Sequence, residues 1–285
     1  MRSTNRVRFL VLVPALAGIL LVTACGSGSA GHHSSMAGMA HTDGDPMYMG
    51  DGLATSAQGY TFAPTADSVA TAGFGFRILG PDGKPVTAFE AEQTKLMHFY
   101  LIRSDLSGFQ HVHPTMAPDG TWTAPTEAAG PGTYRVYAQF IAKGADGEAV
   151  PLVLSKQVTS AGSAPDQPLP AASATTTVDG YTLTVDSSQL MAGMAMPLKV
   201  SVSKDGEPVT DLEPYLETYA HLSGFHAGDL AMAHLHPQGG VATTPTGGPN
   251  LAFEAMLPKA GQWRMYLQFQ TGGVLHTAAV TLDVR

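Results

Sequence analysis

The chain has 285 residues, 44% hydrophobic and only 13% charged, with 32 glycines and 20 prolines. That length allows two domains of ~100–200 residues, and the apolar fraction supplies a core; disorder, a coiled coil and a highly charged nucleic-acid binder are excluded. One cysteine stands against 11 histidines and 13 methionines, and the formal net charge is −8.

Arg2, Arg6 and Arg8 precede an apolar run from Phe9 to Val22, which closes on Thr23-Ala24-Cys25 and a Gly/Ser stretch. A basic start, a short apolar segment and small residues at the cut form a secretory signal over residues 1–24. The run is shorter than the ~20 residues needed to span a bilayer. Small residues ending on Cys25 resemble a bacterial lipobox, which implies cleavage before Cys25 and its acylation. Several acyl chains on one residue anchor stably, whereas one binds marginally. The expected location is therefore the cell envelope, lipid-anchored at the outer face of the cytoplasmic membrane, with the membrane as a partner through Cys25. Losing the leader removes three arginines and no acid, so the remainder is more acidic still and nucleic acid is not an expected partner. With Cys25 acylated, no thiol is left for a disulfide, a thiolate metal site or a nucleophile.

Residues 25–59 lack an apolar period and read as a flexible tether. Between Gly31 and Gly50 it carries His32, His33, Met36, Met39, His41, Met47 and Met49. Imidazole and thioether together suit copper outside a reducing cytoplasm, and this stretch has no core to explain them. An Ala/Ser/Pro-rich stretch at 159–179 reads as a linker.

The segments flanking that linker, 60–158 and 180–285, repeat each other. Asp82-Gly-Lys-Pro-Val-Thr87 matches Asp205-Gly-Glu-Pro-Val-Thr210, and His98, His111, His113 and Pro114 fall on His221, His234, His236 and Pro237 at the same offset of 123. Gly132-Thr-Tyr134-Arg135-Val-Tyr137-Ala-Gln139-Phe140 matches Gly261-Gln-Trp263-Arg264-Met-Tyr266-Leu-Gln268-Phe269. Alternating runs such as Tyr181–Val185 and Leu198–Ser203, separated by Asp-Gly, Pro-Gly and Gly-Gly turns, predict short strands. The expectation is all-β: two tandem immunoglobulin-like antiparallel β-sandwich domains after the signal and tether. One helical turn is expected at Asp211–Glu217, where Pro214 lies in an acid-rich start.

Within each repeat the histidines fall on a hairpin. A two-residue turn at Gly228-Asp229 sets His221 opposite His236, with His234 and Met232 on the same face and Leu222, Ala233 and Leu235 on the other. A turn between Asp105 and Leu106 sets His98 opposite His113, with His111 alongside and Phe109 in the place of Met232. Met97, Phe99, Leu101 and Val112 take the apolar face. Three imidazoles on one patch suit copper, zinc or nickel, and a thioether tilts the choice to copper. The same pattern also fits histidines that merely hydrogen-bond within a corner inherited by both copies. Met191 and Met194 repeat the Met-Ala-Gly-Met of the tether; with Met196 they read as core gap-fillers before copper ligands, and His276 reads as a surface residue before an extra ligand.

At the His-Val-His-Pro and His-Leu-His-Pro segments, with Asp-Gly-x-Pro-Val-Thr upstream and Gly-x-Tyr/Trp-Arg downstream, the chain resembles a group of actinobacterial secreted proteins and lipoproteins usually described as secreted or heavy-metal-binding. The resemblance covers both repeats and implies a β-sandwich at the cell envelope. A blue-copper centre is excluded because its cysteine ligand is missing. The chain lacks G-x-S-x-G, H-E-x-x-H and a phosphate-cradling loop before a helix, so no enzyme is expected. Two functions remain. One is copper buffering, delivery or resistance with a copper-handling partner protein. The other is a metal-free envelope interaction module whose histidines are structural.

Overall fold

The computed structural model describes residues 50–144 and 146–285, with the backbone alone at His236. It is all-β: two tandem immunoglobulin-like sandwiches, with no helix among the described residues. The principal strands of the first are β1 (Tyr60–Pro64), β2 (Phe74–Leu79), β3 (His98–Arg103), β4 (Gln110–Val112), β5 (Thr121–Ala124), β6 (Gly132–Lys143) and β7 (Ala149–Ser160). Those of the second are β8 (Tyr181–Asp186), β9 (Ala195–Lys204), β10 (Ala220–His226), β11 (Met232–Pro237), β12 (Asn250–Met256), β13 (Gly261–Thr271) and β14 (Val274–Val284).

In the first sandwich the sheet β1-β2-β5 lies over β7-β6-β3-β4, enclosing Phe62, Phe76, Phe99, Trp122 and Phe140. In the second, β8-β9-β12 lies over β11-β10-β13-β14 around Leu198, Phe253, Trp263, Leu267 and Phe269. Here β11 continues into the opposite sheet, pairing Pro237 with Phe253. Alternation of apolar residues along each strand sets which face turns to these cores.

The hairpin registers follow the sequence reading. Phe99 pairs with Val112 and Tyr100 with His111, which brings His98 level with His113. Leu222 pairs with Leu235 and Ser223 with His234, which brings His221 level with His236. The turns are longer than the expected two residues. The His226 N–H donates to the Ala231 carbonyl across a four-residue loop in which Leu230 is left-handed (φ 62°), and Leu106 takes the same conformation in the first repeat (φ 65°). Asp105 and Asp229 are turn formers as expected, each accepting the backbone N–H two residues on.

Strands β3 and β10 are buried on both faces. Their inner faces serve the two sandwiches. Their outer faces meet in a third apolar cluster of Tyr100, Ile102, Leu106, Tyr137 and Val153 from one repeat with Phe225, Met232 and Tyr266 from the other. Phe109 stacks on Tyr266 at 4.1 Å across this seam. The Tyr137 hydroxyl donates to the Leu230 carbonyl and the Tyr266 hydroxyl to the Leu106 carbonyl, both at 2.5 Å. The repeats are thus packed on each other rather than strung on a loose linker.

Both connecting segments reinforce the seam. In the stretch read as tether, the Asp51 carbonyl accepts from Met232 N–H, the Ala54 carbonyl from Ser155 N–H and the Leu53 carbonyl from Arg135, so residues 51–54 touch both repeats. Buried Arg103 pairs with Asp105 and donates to the Ala164 carbonyl at 2.8 Å, while Asp105 accepts the Gln167 N–H; the linker is fastened to the first repeat. The helical turn expected at 211–217 is absent. Leu212 and Glu213 instead bridge Gly247 and Gln270, and Tyr215–Thr218 forms a tight turn with Leu216 and Glu217 left-handed. Partners on neighbouring strands outcompete a helix too short to hold its own hydrogen bonds.

Trp122 and Trp263 report on one repeat each and both are fully buried. Because of the shared cluster, single-tryptophan variants made by Trp122→Phe and Trp263→Phe are expected to give coincident denaturation curves. Phe225→Ala, which empties the centre of the seam, is expected to lower both transitions together by ~3–5 kcal/mol, measured by tryptophan fluorescence in urea.

Candidate metal centre

At one end of the seam the two histidine hairpins converge. His98 starts β3, His111 lies in β4 and His113 follows it. Ring centroids are 5.4 Å apart for His98 and His111, 5.1 Å for His98 and His113, and 4.8 Å for His111 and His113. One ring nitrogen from each of the three lies within 4.8 Å of the others. From the second repeat, His234 comes to 5.9 Å from His98, and His221 to 6.4 Å from His111. No side-chain position is described for His236.

Four of the rings, His98, His111, His221 and His234, are held from outside. His98 Nε2 lies 3.1 Å from the Glu92 carbonyl, and His221 Nε2 lies 2.8 Å from the Tyr215 carbonyl. Both carbonyls sit on the same duplicated turn, with two consecutive left-handed residues, Gln93-Thr94 and Leu216-Glu217. Two positive φ angles in succession are the type I′ arrangement, and without glycine they are strained, as often happens where a backbone group is aimed at a site. His111 Nδ1 lies 2.7 Å from Gln268 Oε1 of the second repeat, and His234 Nδ1 lies 2.6 Å from Gln139 Nε2 of the first. Gln139 and Gln268 are equivalent in the duplication, so the repeats exchange the same contact. Tyr100 stacks on His111 at 4.3 Å and fixes its plane.

These outer contacts dictate the inner ones. A carbonyl oxygen only accepts, so His98 carries its proton on Nε2 and His111 carries its proton on Nδ1. The inner nitrogens, His98 Nδ1 and His111 Nε2, then face each other as two lone pairs at 3.1 Å. His113 Nε2 is buried with no hydrogen-bond partner among the described residues. Burial, and after it the neighbouring His98, holds the His111 imidazole well below its usual pKa. The same two causes bring His113 down to about 3. At neutral pH both rings are uncharged, the form in which imidazole binds metal. Two ring nitrogens turned inward by carbonyl oxygens behind them, as on His98 and His111, are the arrangement that surrounds ligating histidines.

Met232 is corrected. It packs in the apolar cluster of the seam, with its equivalent Phe109 against the same cluster; the thioether is a core group here. His276 is also corrected. It is buried, with Nδ1 2.8 Å from Asp179 and Nε2 3.1 Å from Thr271, tying the β13–β14 hairpin to the turn before β8. Met191 and Met194 are exposed. Cys25, His32, His33, Met36, Met39, His41, Met47 and Met49 lie outside the described residues. The sequence reading missed Gln139 and Gln268, although the repeated Tyr-x-Gln-Phe placed both on one strand face.

Two fused immunoglobulin-like sandwiches carrying a duplicated histidine hairpin define a tandem-repeat β protein. Residues 55–154 and 176–285 each match the family described as "Domain of unknown function (DUF8832)", and the chain belongs to that family with two copies of its domain. No curated protein sequence matches. Among solved structures, the chain is similar to the tetra-tandem repeat of a large adhesion protein (13% identity, 79% of this chain, 49% of that one, TM-score 0.23). It is also similar to red sea bream transglutaminase (14% identity, 81% and 32% covered, TM-score 0.21) and to the D0-D1 domain of intimin (14% identity, 78% and 97% covered, TM-score 0.21). The chain thus spans about half the length of the first and a third of the second.

Gln268→Leu removes the acceptor of His111 Nδ1–H across the seam and leaves that donor buried. A loss of ~1–3 kcal/mol is expected in the metal-free protein, read by chemical denaturation.

Proposed function

We propose that this protein binds a copper ion at His98, His111 and His113, and that it serves as a lipid-anchored envelope protein for copper buffering, delivery or resistance. The observation that carries the reading is the 3.1 Å approach of two ring nitrogens whose protons are both committed elsewhere. Two bonds of ~2.0 Å to one tetrahedral ion span about 3.3 Å, so the pair is already spaced as ligands. All three donors are imidazoles, which suit copper and zinc, and copper binds such a set more tightly. The tether, with three histidines and four methionines, adds soft donors upstream of the site. The lipobox-like Cys25 puts the chain on the outer face of the membrane.

Burial of His98 to 1% exposure and the exchanged histidine–glutamine contacts favour a second reading, a metal-free interaction module in which these rings only fix the repeats together. Metal uptake separates the two. A chain lacking residues 26–49 is expected to retain one Cu(II), since the docked segment 51–54 stays in place. His113→Ala is expected to weaken that retention by more than the ~10–100-fold that loss of an outer partner costs. If the shortened chain takes up neither Cu(II) nor Cu(I) above background, and His98→Ala only lowers its stability, the interaction-module reading stands instead.

A further inference from the structure

The three-histidine set is approached by rings of the second repeat, His234 beside His98 and His221 beside His111. Ring centroids within the set are 4.8–5.4 Å apart, and among the described side chains His234 is the next ring to His98, at 5.9 Å. Two imidazoles on one tetrahedral ion with ~2.0 Å bonds have centroids about 5 Å apart, so the His98–His234 pair, at 5.9 Å, is about 1 Å beyond the spacing of two shared ligands.

The glutamines supply an independent observation. Gln268 Oε1 holds His111 by Nδ1 and thereby turns its Nε2 inward. Gln139 lies on the same nitrogen of His234, but presents its amide nitrogen, which is also held by Glu92 at 3.0 Å. Gln139 Oε1 is left buried with no partner among the described residues. A buried amide oxygen without a donor marks a missing N–H. When His234 coordinates through Nε2, its proton sits on Nδ1. Rotation of the Gln139 amide then offers Oε1 to that proton, at the expense of the Glu92 contact. The result is the arrangement already present at Gln268.

Resting on the three-histidine reading, we propose that the ion is held by both repeats, with His234 closing the fourth position. Four imidazoles around one ion make a closed site, the kind that stores or locks rather than the kind that keeps a position open for a reacting water. Bound metal is then a clamp across the seam, and its release requires the repeats to part.

The test uses the full chain with His32, His33, His41, Met36, Met39, Met47 and Met49 replaced by alanine, so that the tether does not compete, and Cu(II) or Zn(II) as probe. X-ray absorption is expected to count four imidazoles around one ion per chain. His234→Ala is expected to reduce the count to three and weaken binding at least tenfold, while His226→Ala changes neither. Three imidazoles in the parent, or two ions per chain, would overturn the shared site and leave the three-histidine reading standing. No uptake by the parent would overturn both. The count in the parent decides the question even where His234→Ala folds poorly.

Discussion

Burial of strands β3 and β10 on both faces governs this structure. A sandwich sheet ordinarily turns one face to its core and the other to water. Here the second faces carry Tyr100, Ile102, Tyr137, Phe225 and Tyr266, and they are covered by each other. Once water is excluded, every polar atom on those faces needs a protein partner, because a buried unpaired group costs ~1–3 kcal/mol. The Tyr137 and Tyr266 hydroxyls find carbonyls of the opposite hairpin loops, and His111 and His234 find glutamines of the opposite long strand, while the Tyr100 hydroxyl stays buried without a partner among the described residues. The histidine cluster is therefore a product of how the repeats dock, not of either repeat alone.

The same constraint explains why the first repeat's histidines point their lone pairs at one another. The outer nitrogens of His98 and His111 are taken by oxygen acceptors that the fold supplies, the first of them on a strained turn whose duplicate in the second repeat holds His221. Desolvation keeps His111 and His113 uncharged at neutral pH. Geometry and electrostatics thus agree on uncharged His111 and His113 rings drawn close to His98.

Much of this was legible in the sequence. Parity along each hairpin, together with the offset of 123, placed His98 level with His113 and Leu222 against Leu235, because strand periodicity is strict and a slip would expose the core. What the pattern could not give was the covering of the other face. The run Met97–Ile102 has no polar alternation, and that was the available signal that both sides of β3 are buried. Without it, Met232 read as a ligand rather than as packing. Local propensity also misled at 211–217, where acidic residues and Pro214 resemble a helix start but the backbone is claimed by neighbouring strands.

Two polar contacts across the seam occur twice, with roles exchanged: tyrosine to loop carbonyl, histidine to glutamine. That is the signature of a two-fold isologous contact, in which residue i meets j and j meets i. The fused chain has the interface of a symmetric homodimer written into one polypeptide. In a true homodimer every substitution appears on both sides at once. Fusion lifts that restriction, and the seam shows its use. Tyr100 faces a position where the other copy has Ser223, Ile102 corresponds to Phe225, and Phe109 to Met232. Bulk lost from one half is made up by the other, so a joint that began symmetric can let its two sides diverge in shape and chemistry while the fit between them is kept.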